Sequence, residues 1–389
     1  MAVPLRAKAK AGNFLSRLST FRTRALALHD AMKATLKCIG HHHETGLILE
    51  NEDQSYVGPL HVLFSKGAVD WLSVAAELVT ETICGTLSAT VPISARTARK
   101  AKGKMVAFAS PQIATSRAPS APMQAIQVPL TAKHPSATAA SASLESITDL
   151  CLRLSQLPAM ATTEAFGKIS APPSSFRMTM SPLLLTGSQI APPSLDNWLG
   201  GHCSTGLSFP EKMGLAVSIS AAVVSLSATP WLPSYPRKEH ILLLKSKPAV
   251  PARLCISVRS NSATLGVPAS PPPRYIKEPT IFMLGILLLE LIFEKPADKL
   301  HNLVKHHSCQ QCSSWEELYN VADTLLDEGH VQIAGGPNYE SAVKSCIRGE
   351  LGVVGSNLDL QDMAVQQSVY QSVIAPLDEN MLAFKLKPC

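Results

Sequence analysis

The stretch Glu278-Pro279-Thr280-Ile281-Phe282-Met283-Leu284-Gly285-Ile286-Leu287-Leu288-Leu289-Glu290-Leu291-Ile292-Phe293-Glu294-Lys295-Pro296 decides the fold of this chain. Thr280, following a proline, reads as a helix N-cap. Pro296 ends the run, because it has no N–H to donate and its ring blocks the preceding turn. Between them the sequence is apolar on every face, and a helix apolar all round is buried all round. It is too short to cross a bilayer, which takes about 20 apolar residues. Full burial of one Leu, Ile, Phe or Met contributes roughly 1.5–3 kcal/mol, so this helix can anchor a domain.

Working outward, the 389 residues are 46% hydrophobic, enough for a large core, yet only 5% aromatic and 16% charged. The 29 prolines and abundant Ser and Ala point to segments that cannot bury enough apolar surface to fold. The net charge of +6 is unevenly spread. Arg6, Lys8, Lys10, Arg17, Arg22, Arg24, Lys33 and Lys37 oppose only Asp30 near the N-terminus, and Arg96, Arg99, Lys100, Lys102 and Lys104 have no acid nearby. After Glu278 the balance turns acidic. A folded acidic half joined to basic segments fits this distribution better than one basic binding face. The nine cysteines follow no framework spacing, and the charged N-terminus lacks an apolar signal core. The expectation is reduced thiols and an intracellular, cytoplasmic protein. Residues 1–37 also have the Arg-, Ser- and Ala-rich, acid-poor character of a mitochondrial presequence.

That second use competes with a first. Phe21, Ala25, Leu28, Met32 and Leu36 recur at helical spacing, which predicts an amphipathic helix over 21–37. Strands are expected at Gly46–Glu50 and Leu60–Phe64, and a helix or strand pair between Trp71 and Ile83. Residues 85–143 lose all periodicity. A helix is expected over Leu144–Leu157, with Ile147, Leu150, Cys151 and Leu154 on one face. Ser208 with Glu211 forms a capping box that opens a helix running to about Ser227, with Met213, Val217, Ala221, Val224 and Leu226 inward. Ile241–Leu244 reads as a short buried strand. Three later helices are expected: Trp315–Leu326, Tyr339–Arg348 and Asp362–Ile374.

The resulting division has four parts. Residues 1–20 are a flexible basic N-terminus, 21–84 an N-terminal helix with strands, and 85–143 a low-complexity Ala/Ser/Pro insertion expected to be disordered. Residues 144–389 form a helical lobe, in which 158–193 is Pro/Ser-rich and expected to be poorly ordered. The fold class is mainly α with a few short strands (α+β).

The order of these pieces carries a resemblance. A helix, then Thr229-Pro230-Trp231-Leu232, an apolar strand, a proline-rich loop and Phe282–Leu291 resemble the C-terminal lobe of a protein kinase reduced to its helices. More closely, the chain is similar to a fungal family of unknown function with a degenerate kinase-like fold. Members of that family often stand beside HeLo-type, prion-inhibition-and-propagation helical domains. The matching pieces include Ala27–Met32 with Cys38 and His43, Leu63-Phe64-Ser65 and Ile147–Cys151. Tyr339–Ile347, Val369-Tyr370 and Val373–Leu377 also match. The resemblance implies kinase-lobe helices around a buried central helix and a role as an interaction or scaffold module.

Phosphoryl transfer needs a phosphate cradle, a positioning lysine, a base and metal-binding acids. The first hundred residues hold no Gly-x-Gly-x-x-Gly loop, and no Val-Ala-Ile-Lys strand precedes an acidic helix. In the kinase-like alignment Tyr235 stands at the base position and His240 at that of the metal-binding Asn. A phenol cannot replace that carboxylate, and Mg²⁺ prefers oxygen ligands to imidazole. Thr264-Leu265-Gly266 lacks the acid of Asp-Phe-Gly, and Thr280 stands where the central helix of a kinase begins with Asp.

Other candidates read as structural. His306-His307-Ser308-Cys309-Gln310-Gln311-Cys312 offers zinc-type ligands without a second C-x-x-C pair. His41–His43 reads as a helix-to-strand turn, and Arg96–Lys104 as a solvated charge run without interleaved aromatics. Glu290 reads as a buried, hydrogen-bonded carboxyl without a partner acid for catalysis. No catalytic, cofactor-binding or metal residue is therefore assigned, and no cofactor. The expected partners are other proteins, with no membrane span and with nucleic acid disfavoured. The alternatives are an atypical nucleotide-binding or phosphotransferase enzyme, and a nucleic-acid binder acting through the basic segments.

Overall fold

The sheet is the element that composition least announces. Its seven strands are β1 (Thr45–Leu49), β2 (Leu60–Ser65), β3 (Trp71–Leu78), β4 (Ala165–Ala171), β5 (Ser174–Met180), β6 (Ile241–Leu244) and β7 (Arg253–Val258). They lie in the order β4-β5-β3-β2-β1-β7-β6, antiparallel throughout. This is a computed structural model that describes residues 5–37, 44–49, 58–65, 71–79, 144–157, 165–181, 192–201, 206–244, 253–258, 271–304, 314–353 and 358–385. The described residues belong to one compact unit built from residues 1–80 and 144–389. The insertion read at 85–143 lies outside them.

Strand alternation sorts the sheet into two buried faces. Leu47, Val62, Val74, Met178, Leu254 and Ile256 face the main core. Their neighbours Ile48, Leu63, Trp71, Leu242, Leu244 and Cys255 form a separate buried cluster. Helix α1 (Leu5–Thr35) packs against β4 and β5 on the main-core side. It starts well ahead of the helix expected at Phe21, and its buried stripe shows why. Ala11, Leu15 and Leu18 continue the helical spacing of Phe21, Ala25, Leu28 and Met32 back towards the N-terminus.

The hairpin of β4 and β5 falls inside the stretch expected to be poorly ordered. Phe176, Met178 and Met180 alternate inward with Arg177 and Thr179 between them, around a turn at Pro172–Pro173. The proline count outweighed this period-two signal. Strand β7 also escaped the sequence reading, whereas the segment at Trp71 resolves as strand β3. The fold is thus mixed helix and sheet, with the sheet larger than a few short strands.

Helix α2 (Leu150–Gln156) is shorter than expected, because the Asp149 side chain accepts from Leu152 N at 3.0 Å and caps it there. Cys255 and Cys346 are free and buried. After α3 (Leu195–Leu199) comes α4 (Phe209–Leu226), opened by the expected Ser208/Glu211 capping box. Among the described residues α4 is the one helix long and apolar enough to cross a membrane, and 61% of that window is buried inside the fold.

Helix α5 (Pro279–Phe293) is the buried rod the sequence indicates: every residue from Ile281 to Ile292 is buried. Its N-cap, however, is Glu278 and not Thr280. The Glu278 carboxylate accepts from Ile281 N at 2.6 Å, and Pro279 takes the first helical position, where no N–H is needed. Around it stand α4, α6 (Ala297–Leu300), α7 (Trp315–Asp327), α8 (His330–Gly335) and α9 (Pro337–Arg348). α9 comes closest at Gly285, where a Cβ would lie 2.9 Å from Cys346 Cβ and 2.7 Å from Ile347 Cδ1. The buried Tyr339 hydroxyl donates to Leu288 O at 2.7 Å. Helix α10 (Met363–Val369) passes through one π-helical turn into α11 (Ala375–Lys385), beyond the expected end at Ile374.

Candidate functional site

The segment between α4 and β6 is bonded to both α1 and α5. Helix α4 stops at Ser227, and Ala228 turns the chain with φ of 56°. Thr229 then closes the end: its hydroxyl and its N–H both donate to Leu226 O, at 2.7 and 2.9 Å. The last carbonyls of α4 receive Arg22 from α1. Its guanidinium donates to Val224 O at 2.7 Å, Ser225 O at 3.0 Å, Ser227 Oγ at 2.9 Å and Gln361 Oε1 at 2.9 Å. A cation at a helix C-terminus also meets the negative end of its dipole. Burial holds the Arg22 pKa below the usual arginine value. Trp231, buried, donates from Nε1 to Ala25 O at 2.7 Å. Two of the basic side chains of the N-terminal segment are thereby committed to structure, since Arg24 is buried too and donates to Gly58 O.

Next come the residues standing at catalytic positions in a kinase-like alignment. Tyr235 is half-buried and meets the Trp315 ring edge-on, with centroids 5.4 Å apart. His240 ends a 3-10 turn (Lys238–His240), with its N–H donating to Arg237 O at 3.0 Å. Thr280 lies in the first turn of α5 and donates from Oγ1 to Ser234 O at 3.0 Å, tying the loop to the central helix. Tyr235 thus packs against a ring, while the His240 N–H and the Thr280 hydroxyl are hydrogen-bonded. Thr264–Gly266, His41–His43, Arg96–Lys104 and His306–Cys312 lie outside the described residues. Among the described residues no group of three or more His, Cys, Asp and Glu is arranged to hold a metal ion.

The charged centre of the site is Lys238, which the sequence reading did not single out. Its ammonium lies 3.4 Å from Asp196 Oδ1 on α3 and 3.4 Å from Glu290 Oε1 on α5. Burial works against the Lys238 charge, but Glu290, Glu239 and Asp196 together hold its pKa above the ordinary lysine value. Glu290 is 4% exposed and accepts from Ala297 N at 2.7 Å. Burial pushes its pKa up to about 7, against the pull of Lys238 and of that N–H. The expected buried, hydrogen-bonded Glu290 is what the fold contains, with a cationic partner no sequence rule links to it. Burial likewise lowers the pKa of Arg237 against the opposing charges of Glu239 and Glu290.

A small concavity lies at the N-terminal end of α5. Its cavity volume is about 10 Å³, and it is lined in part by Glu278, Ile281, Phe282, Cys346 and Ile347. A cavity needs roughly 10–15 Å³ to hold one water, so this one takes nothing larger than a solvent molecule. Burial raises the Glu278 pKa there, opposed by its capping bonds at Ile281 and Thr280.

Residues 163–384 match the model of a family described as a domain of unknown function (DUF7580). No curated protein matches the chain.

Proposed function

The chain belongs to the DUF7580 family, a domain of unknown function, and from that premise we propose that it is a catalytically inactive, kinase-like interaction or scaffold module whose partners are other proteins inside the cell. The order of elements supports a kinase-like lobe: α4, a loop, the β6–β7 hairpin, then a fully buried α5 ringed by shorter helices. A fungal setting beside prion-inhibition-and-propagation domains comes from the sequence resemblance and forms part of the same proposal.

One observation carries the reading. Polar groups of the loop between α4 and β6, two side chains and one backbone carbonyl, turn onto the protein itself. Lys238 is held between Asp196 and Glu290, Tyr235 lies against Trp315, and Ser234 O is taken by Thr280. A phosphotransfer loop works the other way round, presenting a carboxylate base and a metal ligand to a substrate.

Thermal unfolding of the full chain titrated with ATP and Mg²⁺ tests this. The expected outcome is a midpoint that does not move. A saturable rise would overturn the proposal in favour of a nucleotide-binding enzyme, since a ligand at a hundred times its Kd adds about 2.7 kcal/mol to stability.

A further inference from the structure

We propose that residues 182–191 cross the outer face of the sheet aslant and nearly extended, docked on the apolar band Trp71, Leu63, Ile48, Cys255, Leu242 and Leu244. The inference stands apart from the kinase-like reading, since it needs only the sheet and the length of one connection.

Among the described residues, the helices do not cover this face. Strand alternation puts the band on the opposite side of the sheet from Leu47, Val62, Val74 and Leu254. Helices α1 and α4 give their buried apolar side chains to the main core, and the second cluster contains strand residues alone. Its members are nevertheless buried. Two donors on the same face, Trp71 Nε1 and Ser73 Oγ, are buried without a hydrogen-bond partner. A chain that crosses strands aslant cannot join their ladder, so its carbonyls need side-chain donors of this kind.

The two ends of the connection fix its course. Ser181 follows β5, and its N–H donates to Ser73 O on β3 at 2.9 Å. Ser73 is level with Leu63 on β2, Gly46 on β1 and Ser257 on β7. Pro193 lies beyond the opposite edge of the sheet, where its carbonyl accepts from Leu243 N at 2.9 Å and Ser194 pairs with Leu242 of β6. That antiparallel pairing sets Pro192 level with Leu244, hence with Arg253 on β7, four residues from Ser257. Five strand spacings lead from β5 to β6 and one more to Pro193, at about 4.8 Å each, and the offset along the strands adds roughly 13 Å, so the straight line is about 32 Å. The steps from Ser181 to Pro192 reach at most roughly 36–40 Å when extended. A route around the strand ends and down the edge of β6 takes at least about 42 Å, beyond that reach. The inner face is filled by α1 and α4. The outer face is left, and the diagonal over it passes from Trp71 through Leu63, Ile48 and Cys255 to Leu242 and Leu244. The segment reads Pro182-Leu183-Leu184-Leu185-Thr186-Gly187-Ser188-Gln189-Ile190-Ala191, apolar towards both ends. The outer face of the sheet is then part of the fold, and a partner has to dock elsewhere.

Thiol labelling of the full chain with N-ethylmaleimide under native conditions, located by peptide mass spectrometry, tests the crossing. Cys255 lies in the outer band and the free, buried Cys346 in the main core, so the two report on the two packings separately. Leu183→Ser, Leu184→Ser and Leu185→Ser combined should raise the rate at Cys255 at least about tenfold, because labelling follows the population of the locally opened state. Cys346 should keep its wild-type rate. Should that variant not fold, the length of the connection gives a second reading. Deleting Thr186, Gly187 and Ser188 cuts the reach to roughly 26–29 Å, below the span, and should expose Cys255. Inserting three residues after Gly187 should leave it protected. An unchanged rate at Cys255 in the triple variant and the deletion overturns the proposal, as does a rise only in step with Cys346 or exposure of Cys255 by the insertion.

Discussion

Helix α5 and the loop that leans on it are both largely withdrawn from water, but they are held by opposite means. The helix is packed on every side by apolar neighbours and carries one ionisable group, Glu290. The loop is held by a few polar links to distant segments: Trp231 bonds to Ala25 O of α1, Lys238 pairs with Glu290, and Thr280 donates to Ser234 O, each far away in sequence. Dispersion and hydrophobic burial are distributed over many atoms, so they are robust and unspecific. A polar link is concentrated at one atom pair and can be switched. The molecule therefore has a rigid axis and an adjustable attachment within a few ångströms of each other.

The largest expected effect breaks the rigid side. Leu284 is fully buried in the middle of α5. Leu284→Ala should cost about 2–5 kcal/mol, the lost transfer energy plus the cavity left among helices that cannot all close in. Urea denaturation followed by Trp fluorescence measures it. A cost below about 1 kcal/mol would mean that the helix is not the packed axis described, since that is the range of surface substitutions and mild core swaps.

The second effect sharpens the contrast through pH. In the folded chain the Glu290 pKa is raised from 4.5 to about 7. A group whose folded pKa is raised contributes stability that is fully present below the unfolded value and is lost as pH rises through the folded one. Global stability from this residue should thus fall between pH 4.5 and 7. The total is about 3 kcal/mol, at 1.36 kcal/mol for each unit. Glu290→Gln should flatten that part of the profile, seen as a difference in unfolding midpoint that grows with pH. An equal slope in both proteins would show that the carboxyl is hydrated in the folded state.

The same contrast explains what could be read from the sequence. The central helix was legible because burial on all faces is a local property, written in consecutive residues. The capping box at Ser208 was legible for the same reason. The N-cap of α5 was misplaced at Thr280, although Pro279 carried the signal: proline favours the first helical position, which makes Glu278 the cap. The start of α1 was also within reach, in the stripe Ala11, Leu15 and Leu18. The β4–β5 hairpin was obscured because prolines and serines suggest disorder by composition, while the alternation of Phe176, Met178 and Met180 is only a few residues long. The site was the least legible part. Lys238 sits in an ordinary polar run, and nothing local ties it to Glu290 or Asp196. Arg22 looked like one charge among many in a basic segment, until α4 placed its last carbonyls against it.

The smallest expected effect is at a polar link between axis and attachment. Thr280 Oγ1 donates to Ser234 O at 3.0 Å in an exposed position. Thr280→Val keeps the β-branched shape and removes the hydroxyl, which also bonds the Glu278 carboxylate that caps α5. A typical hydrogen bond contributes about 0.5–1.5 kcal/mol net, and an exposed one falls at the low end because water can take over the freed carbonyl. Global stability should therefore drop by roughly 0.5 kcal/mol, while amide hydrogen exchange at His240 and Ile241 should quicken more than exchange within α5. The reason is that the loop has few other tethers, whereas the helix keeps all its apolar neighbours. Equal acceleration in both places would mean that loop and helix open together as one unit, and the distinction between a packed axis and a switchable attachment would fail at the point where they touch.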